Sequence, residues 1–335
     1  MQKRKFEYLD AMRVFATIMV IIIHCIYEYM WDFSNKGTAL WTSLVFVNEL
    51  LRTGVPLFFM MSGYLLLQKD ITDIKGFYKK RFLKIAVPFI FYDIFYYILN
   101  CIIYNSEISF LQFLKELCDK GSAYHLWFVY SILFIYLLMP FLRMIVSKCS
   151  AKMLTLFLAL SVFQTTIRPF FNILFDGKFR FYLTDDGLMG YLGYVILGYL
   201  MGSFDFSKTT QRIIYALALI SFVVFPFWNI QTIDTTGDFF FNGGYTINHY
   251  IEAAAVFLFF KNHIHKSGKF ISKLSAVSFS AYLIHVAVLQ VTQLFDFGTS
   301  VGIKMVIWSV IVIVVSFMWG FVENLFFHRK ALTKN

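Results

Sequence analysis

Apolar runs of about twenty residues recur along the whole chain, and this recurrence restricts the fold more than any single motif does. One water-soluble core could not take up so much apolar surface, whereas a bilayer solvates it directly. Charged residues make up 15% of the 335 and hydrophobic ones 59%, where a soluble domain carries about 25% charged residues. Backbone polar groups in lipid must be satisfied within the segment that carries them, so an all-α polytopic integral membrane protein is expected.

Windows of spanning length fall near 12–31, 42–67, 83–104, 125–146, 153–171, 188–203, 212–230, 247–261, 276–296 and 302–327. Ten spans put both termini on one side, and the basic residues say which. With the N-terminus cytoplasmic, 21 lysines and arginines fall in inner segments and 7 in outer ones, while Arg13 and Arg52 lie inside spans. That is the positive-inside pattern of a multi-pass protein of the cell (inner or plasma) membrane. The +10 net charge therefore belongs to membrane-facing loops, and no nucleic-acid partner is expected. Lys3, Arg4 and Lys5 before an apolar run resemble a signal peptide, but the run ends in Tyr27–Trp31 without a small-residue cleavage site. It reads as a retained first helix.

Cys25, Cys101, Cys118 and Cys149 show no paired spacing. They suggest neither a metal site nor a disulfide framework, with a Cys101–Cys118 bridge left open. The longest stretches outside the windows, near 105–124 and 229–246, are too short for a soluble domain. Residues 1–335 therefore read as a single transmembrane domain.

An ionisable residue at mid-membrane costs on the order of 2.5–3.5 kcal/mol on insertion scales, so each one needs a reason. Arg13 and His24 are eleven residues apart, which leaves them about 20° apart around a helix and roughly 16 Å apart along it. Asp10, Thr17 and Glu28 lie within about 40° of the same line. Arg13 taken alone has a second reading, snorkelling to lipid headgroups. His24, between Ile23 and Cys25, is too deep for that. It either hydrogen-bonds a neighbouring helix or, with Arg13 beside it on the stripe, has a functional role.

The second window holds Glu49, Arg52, Gly54-Val55-Pro56 and Ser62-Gly63-Tyr64. Gly and Pro together should break the helix near Thr53–Pro56. The half-helix that follows would turn free N–H groups into the membrane, toward a negative group. The plainer reading is a packing kink with a Glu49–Arg52 ion pair one turn apart. Asp93 and His285 lie near mid-depth in the third and ninth windows. His125 opens the fourth from outside, and His249 and Glu252 share a face at the outer end of the eighth. Taken together these residues suggest a polar cavity. Lys80, Arg81 and Lys84 can share one helical face at the inner surface, suited either to anionic lipid or to the phosphates of a nucleotide-like molecule.

At this point the chain resembles the membrane acyltransferase 3 family, ten-helix O-acyltransferases of surface polysaccharides. The resemblance rests on Tyr8–Arg13 with His24, on Gly54–Phe59 through Ser62-Gly63-Tyr64, on the basic stretch Tyr78–Pro88, on His125–Phe128, and on Tyr282–His285. Where the family commonly has two arginines three apart, this chain has Arg81 and Lys84, so the carry-over of cofactor contact is firmer for Arg81. The resemblance implies acetyl-CoA as a cytoplasmic acyl donor and a glycan hydroxyl as acceptor. Arg81, Lys84 and Lys80 would hold the donor's phosphates, with no metal involved. His24 would act either as general base or as covalent acyl carrier. Some related chains carry a fused extracytoplasmic domain, and this one ends at Asn335, so transfer would be completed by the membrane part or by a separate partner. The rival from another class is an exporter of polysaccharide or small molecules, which also explains a kinked helix and a polar midplane.

Overall fold

The computed structural model describes residues 6–167, 170, 186–236 and 244–332, and no strand occurs among them. Seven helical segments are long and apolar enough to cross a membrane: 7–31, 39–66, 74–103, 124–148, 208–233, 268–293 and 301–326. The other three expected spans are shorter helices, at 151–167, 188–203 and Ile247–His263. The window near 153–171 runs past Ile167 into residues outside those described.

In chain order the helices are α1 (Glu7–Trp31), α2 (Ala39–Leu51), α3 (Gly54–Leu66), α4 (Ile74–Arg81), α5 (Val87–Ile103), α6 (Phe110–Asp119) and α7 (Trp127–Lys148). There follow α8 (Ala151–Val162), α9 (Asp186–Ser203), α10 (Lys208–Thr236), α11 (Ile247–His263), α12 (Gly268–Gln293) and α13 (Val301–Leu332). Side-chain oxygens satisfy backbone N–H groups at several starts: Thr38 caps α2, Asp73 caps α4, Ser109 caps α6 and Ser150 caps α8.

Both stretches outside the windows are partly helical, and the outer loop expected over 229–246 is corrected. The stretch 105–124 contains α6, an amphipathic helix that buries Phe113 and leaves Phe110 and Leu111 exposed. The outer loop expected from 229 onward starts later, because α10 continues to Thr236. Asn229 there is buried, and the Thr232 hydroxyl donates to Trp228 O, so these polar residues are absorbed by the helix.

The chain divides into two compact units, one of Met1–Asp70 and Phe141–Ser275, the other of Ile71–Pro140 and Ala276–Asn335. In the first, α1 packs on α2, α3 and α11, α3 packs on α9, and α11 packs on α9 and α10. Glycine permits the closest approaches. A Cβ at Gly63 would lie 1.9 Å from Val195 O, and one at Gly198 would lie 2.1 Å from Met60 O. Helices in lipid associate through such small-residue contacts, since the solvent drives no hydrophobic association between them.

Polar contacts tie particular helix ends of this unit together. Ser267 N–H donates to Glu7 (2.8 Å), and Lys261 donates to Asp205 (3.2 Å) and Phe204 O (2.8 Å). At other ends, Ile247 N–H donates to the Thr166 hydroxyl (2.9 Å), and the Tyr250 hydroxyl donates to Gly190 O (2.8 Å).

In the second unit, α5 packs on α6, and Gly320 of α13 sits against Val277 of α12. Tyr92 donates to Glu323 (2.7 Å) and accepts from Trp319 Nε1 (2.7 Å). Phe91, Ile94 and Ile98 on α5, and Val306, Val310 and Val314 on α13, are exposed, as expected of lipid-facing surface.

Candidate functional site

The stripe on α1 lies in the first unit and begins as a hydrogen-bonded network. The Arg13 guanidinium donates to the Ser275 hydroxyl (2.8 Å) and lies 3.5 Å from Asp10. Asp10 in turn accepts from Ser272 (3.0 Å) and Ser275 (2.8 Å). Arg13 is thus held by the start of α12 rather than reaching for lipid. One turn on, Thr17 is buried and back-bonds to Arg13 O (2.9 Å). His24 is half-buried further along the same helix.

α2 runs antiparallel to α1. Trp41 Nε1 donates to Met30 O (2.9 Å), and the Thr53 hydroxyl lies 3.9 Å from Met19 Sδ. Each step along α2 matches a step back along α1, so Asn48 and Glu49 stand at the depth of Ile23 and His24. The break in the second span falls at Arg52–Thr53, at the N-terminal edge of the stretch expected. Gly54 rests on α1, where a Cβ would lie 3.0 Å from Ala16 O. Pro56 has no N–H and Leu57 N–H bonds Thr53 O, which leaves Gly54 and Val55 as the first-turn donors of α3. Arg52 and Ser62 are half-buried at the break and within α3.

The expected Glu49–Arg52 pair does not form. Glu49 is fully buried and turns to α11, where Asn248 Nδ2 donates to its Oε1 and His249 Nδ1 lies 3.8 Å away. His249 Nδ1 also meets Glu252 Oε2 at 3.1 Å, and the Ser221 hydroxyl donates to Glu252 Oε1 at 2.5 Å. Pairing across helices wins because the α11 groups offer a buried carboxylate two partners at once, while a helical neighbour offers one. The i, i+3 spacing of His249 and Glu252 is visible in the sequence. Their partners Glu49 and Ser221 come from other helices and are not.

In the second unit, Asp93 is buried and accepts from Ser122 N–H (2.7 Å), while Gly121 has a φ of +81°. A Cβ at Gly121 would lie 2.9 Å from Asp93 Oδ1, so Asp93 fastens this turn. His125 and His285 come together, with ring centroids 4.9 Å apart and both side chains buried. His285 Nδ1 lies 2.5 Å from Tyr282 O, and His125 Nε2 lies 3.3 Å from Leu283 O. A carbonyl only accepts, so each of these nitrogens carries the proton. The Tyr96 hydroxyl donates to Leu283 O (2.9 Å) and accepts from Ala287 N–H (3.2 Å). These backbone groups are the two ends of one i→i+4 rung of α12, and the Tyr96 ring also packs edge-on against His125, a contact with no signal in the sequence.

The basic cluster in this unit is not one face. Phe82–Ala86 forms a π-helical turn, which breaks the α-helical spacing that would align Lys80, Arg81 and Lys84. Arg81 lies 5.3 Å from the Phe77 ring centroid and 5.4 Å from that of Tyr136, while Lys80 and Lys84 are exposed. The buried Arg81 Nε has no hydrogen-bond partner.

No solved structure matches the chain. A stretch of 134 residues is 29% identical to an amino-acid racemase of Enterococcus faecalis, covering 38% of this chain and 18% of that protein. The match thus spans under a fifth of the racemase. Residues 6–322, nearly the whole chain, match the family model described as an acyltransferase domain, and the chain with its apolar helices and buried polar groups belongs to the membrane acyltransferase 3 family.

Proposed function

We propose that this membrane acyltransferase takes an acetyl group from acetyl-CoA at the cytoplasmic side and transfers it to a hydroxyl of an exported or cell-surface polysaccharide. The observation that carries the reading is the polar line along α1, with Arg13 fixed by Asp10 and Ser275 near one end and His24 level with buried polar groups of α2. His24 acts as general base: it takes the proton of the acceptor hydroxyl as that oxygen bonds to the acyl carbon. The carbon–sulfur bond breaks, and the proton passes to the departing thiolate. The unpartnered Arg81 Nε, with the exposed Lys80 and Lys84, supplies donors suited to the phosphates of CoA. The racemase activity is not carried over, because the shared stretch is too small a part of that protein. The family match also favours transfer over export.

Ten spans with both termini cytoplasmic belong to this proposal. The contacts between helix ends support them. Glu7 with Ser267, and Lys261 with Asp205, join segments that ten spans put inside, and Thr166 with Ile247 joins two that ten spans put outside.

The test is transfer of labelled acetyl from acetyl-CoA to cell-envelope glycan by His24→Ala at matched expression. We expect a loss of about a hundredfold or more, the usual worth of a positioned acid–base group. Undiminished transfer would remove His24 from the chemistry. A labelled acyl-enzyme trapped in the absence of acceptor would instead make His24 the acyl carrier.

A further inference from the structure

We propose that Glu49, His249 and Glu252 form a binding site for a divalent transition-metal cation of the zinc class. One ligand atom from each residue can be chosen so that all three lie within 4.8 Å of one another, and all three residues are buried. The measured separations from His249 Nδ1 are 3.1 Å to Glu252 and 3.8 Å to Glu49. Bonds of about 2.0–2.2 Å to one ion bring ligand atoms to such spacings, and one imidazole with carboxylates is a donor set that zinc accepts.

A second feature belongs to the same cluster. Glu49 is fully buried, yet its Oε2 has no hydrogen-bond partner. Besides each other, the two carboxylates have Asn248, His249 and Ser221 as partners. These can bring at most one positive charge, so both carboxylates can be ionised together in a membrane-spanning segment only if a further cation joins them. A divalent ion balances them and gives Glu49 Oε2 a ligand to bind.

The surrounding polar groups fit that role. Ser221 donates to Glu252 Oε1, leaving Oε2 to face His249, and Asn248 donates to Glu49 Oε1. Hydrogen bonds of this kind orient ligating carboxylates and are common around bound metals. Three protein ligands leave at least one coordination position open, at the depth on α1 where His24 stands.

The inference is independent of the donor and acceptor proposed above, and its readout is metal rather than acetyl transfer. The full chain, purified in detergent without chelator and loaded with zinc chloride, is desalted and analysed by elemental mass spectrometry. We expect about one zinc per chain, falling to background in His249→Ala and in Glu49→Gln. In wild-type protein, chelation should lower the unfolding temperature and zinc should restore it, a measurement that needs no variant to fold. Background metal in loaded wild-type protein would overturn the site, as would equal metal content in wild type and in a Glu49→Gln, His249→Ala double variant.

Discussion

The Tyr96 hydroxyl stands where a helix would ordinarily close on itself. It bonds both Leu283 O and Ala287 N–H, and His125 Nε2 approaches the same carbonyl. Both backbone groups flank His285 along the continuous helix α12. Tyr96→Phe removes the donor and the acceptor together, leaving Ala287 N–H buried without that partner. We expect a loss of about 1–3 kcal/mol of stability, the cost of an unsatisfied buried group, read as a lower unfolding temperature in detergent. An unchanged melting curve would mean that the rung closes unaided. Tyr96 was not legible in the sequence because a tyrosine in an apolar helix carries no positional signal. Arg13 and His24 were legible, since 100° per residue aligns them within one helix. The serines that hold Arg13 lie more than 250 residues away in sequence.

At the scale of helices, the Gly54–Tyr64 motif reads from sequence as a kink with free N–H groups. The break is present, but much of the motif serves packing. Gly63 and Gly198 each face the backbone of the other's helix, and Gly202 faces the Tyr64 ring. Composition marks such glycines as permissive without naming the helix they admit. Gly198→Val would drive a branched side chain into Met60 backbone atoms that have no rotamer by which to move aside. The expected cost is about 1–3 kcal/mol or more from overpacking, checked by thermal unfolding and by monodispersity in size-exclusion chromatography. Gly298→Ala, at a position with nothing within 4 Å, is the control for handling, although its φ of +60° adds a small strain of its own. The π-turn at Phe82–Ala86 escaped the sequence reading for a similar reason: an extra residue in one turn leaves the apolar pattern almost unchanged.

For the molecule as a whole, the number of crossings decides which face each loop occupies, and the two available counts make opposite predictions. If only the seven long helices crossed, 151–167, 188–203 and 247–263 would not, and Lys266 would lie outside with Ser300 inside. Ten crossings reverse both. Glu7, at the start of α1, bonds the backbone of Ser267, which puts the 264–267 turn on the side of the N-terminus and favours ten. Helices lie at all ten expected segments, but 151–167 and 188–203 are apolar and short, and 247–263 is short and carries buried Asn248, His249 and Glu252. The test replaces Cys25, Cys101, Cys118 and Cys149, then returns one exposed cysteine at a time as Lys266→Cys or Ser300→Cys. A membrane-impermeant maleimide on intact cells should label Ser300→Cys at once and Lys266→Cys only after permeabilisation. A variant that keeps the native Cys118, which is exposed and lies outside under either count, calibrates the labelling. Labelling of Lys266→Cys in intact cells would refute ten crossings and leave α11 inside the protein without spanning the bilayer.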